Sequence, residues 1–172
     1  MLVYLQMIET QEDKTKFEAL YEEYRGYMYH IAYKILQHDR DAEDAVHSAF
    51  VTIAENMQKI SDPLCPKTKS YIVTIIESRA IDLYRRKQRH PEVALEEAAL
   101  GLQIEYTGEN GIAKCIGQLP ARYRHVLVLK HLHGFNNREV AKIFKTTETN
   151  VAKLYHRAKT RLRELCQKEE IL

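Results

Sequence analysis

Apolar positions along this chain recur at helical spacing, and period-two alternation is almost absent, so an all-α fold is expected. Phe17, Leu20, Tyr21, Tyr24, Met28, Ile31, Ala32 and Ile35 mark one long amphipathic helix from Asp13 to Leu36. Asp39-Arg40-Asp41 interrupts the pattern. Ala45, Val46, Ala49, Phe50 and Ile53 then define a second helix from about Ala42 to Gln58. Ser61-Asp62-Pro63 and Pro66 predict a loop. A third helix follows from about Lys67 to Arg89. It is apolar through Tyr71, Ile72, Ile75, Ile76, Ile81 and Leu83, then abruptly basic at Arg85, Arg86, Lys87 and Arg89.

The pattern then changes. Residues 91–111 carry five acids (Glu92, Glu96, Glu97, Glu105 and Glu109), no Lys or Arg, and glycines at 101, 108 and 111. This reads as an acidic linker with one helical turn around Val93 to Leu100; a further packed helix is the alternative that Val93, Leu95 and Leu100 keep open. The expected organisation is therefore two small helical domains, 1–90 and 112–172, joined by the linker 91–111.

In the second domain Leu119-Pro120 begins a helix through His133, with Tyr123, Val126, Leu127 and Leu129 available for burial, and Gly134 fits a position just past its end. Two more helices follow with a very short break. Asn136 is placed to cap the first of them, Glu139 to reach back as a capping-box acid, and Phe135 and Val140 to pack across the cap. Val140, Ile143 and Phe144 keep helical spacing, and the small Ala141 allows a close crossing. Lys145 and Thr146 make the break, and Thr147 is a good N-cap for the last helix. Val151, Tyr155, Ala158 and Leu162 share one face of that helix, while Asn150, Lys153, Arg157, Lys159 and Arg161 lie mostly off it. A short helix, a tight turn and a second helix with a cationic outer surface form a helix-turn-helix pattern, whose exposed helix fits the DNA major groove.

An ordinary αα-hairpin with a solvated basic face would show the same two-helix spacing. The charge distribution decides between them. The whole chain has a formal net charge of only +2, yet residues 112–172 hold 13 Lys and Arg against five Asp and Glu. Positive charge concentrated at one end is the footprint of a phosphate-binding module.

Other chemistry is thinly represented. Cys65, Cys115 and Cys166 are far apart, odd in number and without metal-ligand or redox spacing, which predicts reduced thiols. His125, His131 and His133 form the densest histidine group, but no acid or cysteine completes a metal set at a usual spacing. No nucleophile–base pairing or phosphate loop is evident, so neither a catalytic site nor a cofactor is expected. No apolar run is long enough for a bilayer span, and Met1 to Ile8 lack a basic region and a cleavage site. These first residues read as a frayed extension, and a cytoplasmic protein without membrane insertion is expected.

The order of these words along the chain resembles the extracytoplasmic-function (ECF) group of bacterial RNA polymerase sigma factors, from about Phe17 to Leu165. The resemblance rests on Phe17-Glu18-Ala19-Leu20-Tyr21, on Asp41-Ala42-Glu43-Asp44-Ala45-Val46 followed by Phe50, and on Ala80-Ile81-Asp82-Leu83 running into Arg85-Arg86. In the second block it rests on Leu119-Pro120-Ala121-Arg122 with Val126-Leu127, Gly134-Phe135-Asn136, Glu139-Val140-Ala141, Val151 and His156-Arg157-Ala158.

The resemblance implies a dissociable initiation factor whose partners are core RNA polymerase, promoter DNA and, commonly in the family, an anti-sigma factor. It places polymerase docking on Asp41, Glu43, Asp44 and His47. It assigns the minus-ten element to the third helix, with Arg79, Arg85, Arg86, Lys87 and Arg89 as its basic contacts. It assigns the minus-thirty-five element to the last helix, with Glu148, Thr149, Asn150, Lys153, His156 and Arg157 nearest the groove. Three departures stand out. Glu77 and Ser78 replace the family's frequent Arg and Asn, and a Glu facing phosphate would repel it. Lys145 replaces a frequent Gly in the turn. Ala152 and Leu154 replace basic residues early in the recognition helix. The rival reading is a stand-alone helix-turn-helix regulator, which would bind duplex DNA by itself; the second basic run at 85–89 speaks against it.

Overall fold

The computed structural model describes residues 1–87 and 111–169, and no strand occurs among them. Its helices gather into two compact units, Met1–Val93 and Ala94–Leu172.

The first unit is built on three long helices: α2 (Gln11–Leu36), α3 (Asp39–Ala54) and α4 (Pro66–Lys87). Each packs on the other two. The apolar stripe of α2 is buried from Phe17 to Ile35, and on α3 Ala42, Ala45, Val46, Ala49, Phe50 and Ile53 are buried. α4 is enclosed on all sides over residues 71–80, so polar residues share that interior. Thr74 satisfies its hydroxyl there by donating to the Ser70 carbonyl at 2.9 Å.

The break between α2 and α3 lies earlier than the charge pattern predicts. α2 ends on Gln37, in a left-handed conformation (φ 52°), whose amide side chain donates back to the Lys34 carbonyl. Asp39-Arg40-Asp41 is not an interruption: it forms the first turn of α3, behind the N-cap His38. Acids at a helix N-terminus meet the positive end of its dipole, so Asp39 and Asp41 favour the start of a helix there. α3 stops at Ala54, short of Gln58, and a turn of 3-10 helix (Met57–Lys59) follows. Pro66 opens α4 instead of preceding it, since proline lacks only an N–H that the first turn does not use.

Met1 to Ile8 do not form a loose extension. One turn of helix, α1 (Leu2–Leu5), packs on α3, and Tyr4 and Ile8 are buried.

The second unit contains α5 (Gly111–Gly117), α6 (Ala121–Leu127), α7 (Asn137–Ile143) and α8 (Glu148–Lys168). The helix expected from Pro120 to His133 is divided: α6 widens into π-helix over Val128–Leu132, where His133 N–H donates to the Val128 carbonyl five residues back. Gly134 follows with φ 67°, as a position past a helix end requires. α5 is only seven residues long, too short for helical spacing to mark it in the sequence; it docks on α8, with Cys115 buried, and its Lys114 pairs with Glu169. The linker helix turn at 93–100 and Arg89 lie outside the described residues.

Candidate nucleic-acid interface

The helix-turn-helix is set by local hydrogen bonds at each end of its turn. Asn136 Oδ1 accepts from the Glu139 N–H at 2.9 Å, and Glu139 Oε2 accepts from the Asn136 N–H at 2.8 Å, a complete capping box. Phe135 and Val140 are both buried beside it. At the far end of α7, Thr146 N–H donates to the Ala141 carbonyl at 2.9 Å and Lys145 N–H to the Lys142 carbonyl at 3.2 Å. This pair of bonds is the Schellman closure, and it puts Lys145 at φ 50°. Thr147 Oγ1 then caps α8 by accepting from Asn150 N–H at 3.2 Å. The crossing is fixed by Val151 and Ala158 of α8, which are fully buried, as are Val140 and Ile143 of α7.

With Val151 and Ala158 turned inward, helical geometry turns the other residues outward. Glu148, Thr149, Asn150, Lys153, His156 and Arg157 are all exposed. Asn150 already gives one amide hydrogen to Thr146 Oγ1 at 3.1 Å, which fixes its orientation at the start of the helix. Arg161 is paired with Glu164 at 2.8 Å. Tyr155, expected to face inward, is half-buried: its hydroxyl bonds His131 Nε2 at 2.8 Å, and Lys130 and Lys159 lie over its ring at 5.0 and 5.1 Å. Lys159 is one turn along α8 from Tyr155, while Lys130 and His131 come from the π-helical segment Val128–Leu132, so their half of the cluster depends on packing.

The basic end of α4 is divided. Arg86 and Lys87 are exposed and Arg85 is half-buried. Arg79 departs from the expectation that it joins this set. It is 7% exposed, and its guanidinium donates to Thr52 Oγ1 of α3 at 2.7 Å. It lies eight residues from Lys87, two helical turns down into the enclosed part of α4, and burial lowers its pKa below the usual arginine value. Arg79 is a packing group, not a surface cation. Glu77 and Ser78 are buried as well, so the anticipated repulsion between a Glu and phosphate has no surface on which to act.

On α3, Glu43, Asp44 and His47 are exposed along one face, while Asp41 is turned inward and paired with Lys87. Neither Glu43 nor Asp44 makes an ion pair with a described residue. His47 Nδ1 is bonded by the Tyr4 hydroxyl at 2.6 Å. Near the start of α3, Tyr29 donates to Asp39 Oδ1, and holding its proton against that carboxylate pushes the phenol pKa up to about 12.

These features define a two-part helical protein with a DNA-reading helix-turn-helix in its second part and a basic helix end in its first. Comparison with known proteins places it further. A description of sigma-70 region 2 matches residues 20–90, and one of sigma-70 region 4 matches residues 110–162. The ECF RNA polymerase sigma factor SigW of Bacillus subtilis (strain 168) is 25% identical over 171 residues, covering 88% of this chain and 89% of SigW. RNA polymerase sigma factor SigV of the same organism is 20% identical, covering 96% of this chain and 99% of SigV. Among solved structures, CnrH in complex with the cytosolic domain of CnrY covers 97% of this chain and is itself covered over 96%, at 22% identity and TM-score 0.39. RpoE in complex with the anti-sigma factor NepR, from Bartonella quintana, covers 92% and is covered over 98%, at 18% identity and TM-score 0.42. The chain belongs to the ECF sigma factors. It binds core RNA polymerase and directs it to promoters.

Proposed function

We propose a division of labour between the two units. Residues 1–90 dock on core polymerase through Glu43, Asp44 and His47 of α3, and engage the minus-ten DNA through Arg85, Arg86, Lys87 and Arg89. Residues 112–172 bind the minus-thirty-five DNA through α8, with Glu148, Thr149, Asn150, Lys153, His156 and Arg157 at the groove. Residues 91–111, which are acidic, connect them without attracting DNA. The observation that carries the reading is the exposure of this polar set on α8 while Val151 and Ala158 anchor the opposite side. Asn and Arg are suited to bidentate contacts with base edges, and Lys to phosphate.

Asp41 contributes indirectly, by joining α3 to the end of α4. Arg79 supports α4 from within.

Strand opening in this scheme needs no catalysis by the chain. Binding free energy drives it: bases captured by the protein and the polymerase offset the stacking that is lost. The protein works in the cytoplasm, where core polymerase and promoter DNA are. No described helix is long and apolar enough to cross a membrane. An anti-sigma partner, as named for the RpoE structure, would act by covering one of these faces.

The test is equilibrium binding of the full chain to core polymerase, followed by promoter binding of the assembled complex. Asp44→Lys should weaken the first step roughly tenfold or more, as charge reversal at a docking face does. Co-purification with core polymerase at the wild-type level would remove α3 as the docking helix.

A further inference from the structure

Cys115 and Cys166 belong to α5 and α8, the first and last described helices of the second unit. Packing of α5 on α8 brings them together. Both side chains are buried, at 0% and 1% exposure, and their thiols hydrogen-bond each other. Polar contacts beside the pair hold the same register. Lys114 and Gln118, on either side of Cys115, both reach Glu169, just beyond Cys166, at 2.5 and 3.4 Å. Facing thiols on two helices held this closely meet the short separation that a disulfide requires.

A cleft of about 540 Å³ opens at the same place. Its walls include Ile112 and Ile116 of α5, Leu127 of α6, and Leu162 and Cys166 of α8. Cys166 is therefore the thiol that a small solute meets first. Burial and the neighbouring thiol push the Cys115 thiol above the usual cysteine value, which keeps it protonated and slow to react. In a reducing compartment such a pair rests as two thiols. Disulfides that form there are transient and serve redox sensing.

We propose that Cys115 and Cys166 are a reversible redox site that a hydroperoxide closes to a disulfide, stapling α5 to the end of α8. The Cys166 sulfur gives up its proton and attacks the peroxide. The O–O bond breaks, an alcohol leaves (water, for hydrogen peroxide), and Cys166 becomes a sulfenic acid. The Cys115 sulfur then displaces that oxygen as water, and the S–S bond forms. The two sulfurs together lose two electrons, and the peroxide gains them. A thiol reductant reverses the closure by exchange. The loop closed by this bond encloses α6, α7 and most of α8, so the constraint spans the whole helix-turn-helix. None of this depends on which DNA element α8 reads.

The experiment uses the full chain carrying Cys65→Ser, which leaves only the pair. Hydrogen peroxide is titrated in, and the product is followed by thiol counting in denaturant, peptide mass spectrometry and thermal melting. Free thiols should fall from two to none. A peptide linked through Cys115 and Cys166 should form and disappear with dithiothreitol, and the oxidised chain should melt at a higher temperature than the reduced one. Adding Cys115→Ser should stop the reaction at a sulfenic acid on Cys166, trapped by dimedone. Thiols that survive excess peroxide, sulfinic acids without a linked peptide, or a linkage between two chains would overturn the proposal. An oxidised chain that melts at or below the reduced one would overturn the staple.

Discussion

Lys87, in the last turn of α4, closes an ion pair with Asp41, in the first turn of α3, at 2.5 Å. The two residues are 46 positions apart, and the pair ties the helix assigned to DNA to the start of the helix assigned to polymerase. The Lys87 side chain is 55% exposed, so the pair is a partly screened one. Lys87→Met should cost no more than about 1 kcal/mol. Asp41→Asn should cost more, about 1–2 kcal/mol, because it also removes an acid from a helix N-terminus. Urea unfolding of both variants checks the order; an equal or reversed order would mean that Asp41 owes nothing to its helix position.

Arg157→Ala and Lys153→Ala should each weaken promoter binding by the polymerase complex by about 1–3 kcal/mol and leave polymerase binding unchanged. The two differ in kind. Loss at a base contact relaxes sequence preference at one position, while loss at a phosphate contact lowers affinity evenly and reduces the salt slope by about 1. Binding to promoters altered one base pair at a time distinguishes them.

Lys145 sits at φ 50° on the turn between α7 and α8, with its side chain in solvent. A residue with a Cβ is strained there by roughly 1–2 kcal/mol, of which glycine's extra chain entropy offsets part. Lys145→Gly should therefore raise the stability of the second unit by about 0.5–1 kcal/mol. Gly134, at φ 67°, has open space around it, so Gly134→Ala would be strained by its backbone alone and should lower stability by about 1 kcal/mol. Thermal melts that show opposite shifts for the two variants would bear this out.

The resemblance groups Arg79 and Arg86 as basic contacts of one helix, and the structure puts them in different environments. Arg79→Ala removes a buried charged donor from Thr52 and should destabilise the first unit by about 1.5–3 kcal/mol. Arg86→Ala, on the surface, should stay within about 0.5 kcal/mol in stability. It should lower DNA affinity in the polymerase complex instead. Stability loss in Arg86→Ala and DNA loss alone in Arg79→Ala would reverse the assignment.

Tyr29 links α2 to α3 through Asp39 and carries a pKa raised from 10.0 to about 12. A group whose pKa rises on folding favours the folded state while it stays protonated. Its contribution is complete below pH 10 and is lost as pH rises through about 12. Phenolate absorbance should show a tyrosine titrating near 12 that returns toward the ordinary range in Asp39→Asn, while the buried Tyr71, whose phenol pKa burial also raises, titrates late in both proteins.

The helix-turn-helix was legible because its rules are local. Asn136 and Glu139, Phe135 and Val140, and the cap Thr147 each act within five residues of their partners, and all took the places that their spacing required. The long stripes on α2 and α3 were legible for the same reason. What the sequence concealed depends on distant neighbours. Arg79 reads as one of the third helix's basic contacts until Thr52, 27 residues away, is seen to receive it. Tyr4 reads as the edge of a loose end until its hydroxyl is seen to hydrogen-bond His47, 43 residues away. Asp39-Arg40-Asp41 was ambiguous because a gap in the apolar stripe accompanies the first turn of a helix as readily as a break between helices. Charge shows what a surface could bind, but only packing shows which charges reach that surface.

The central claim is that this chain confers promoter choice on a polymerase. Reconstituted transcription with core polymerase and genomic DNA, with mapping of the start sites, tests it most directly. The account predicts defined starts at a fixed distance from two separated DNA elements, absent with core enzyme alone and depleted with Arg157→Ala. Failure of the purified chain to associate with core polymerase, or start sites unchanged by its addition, would contradict it.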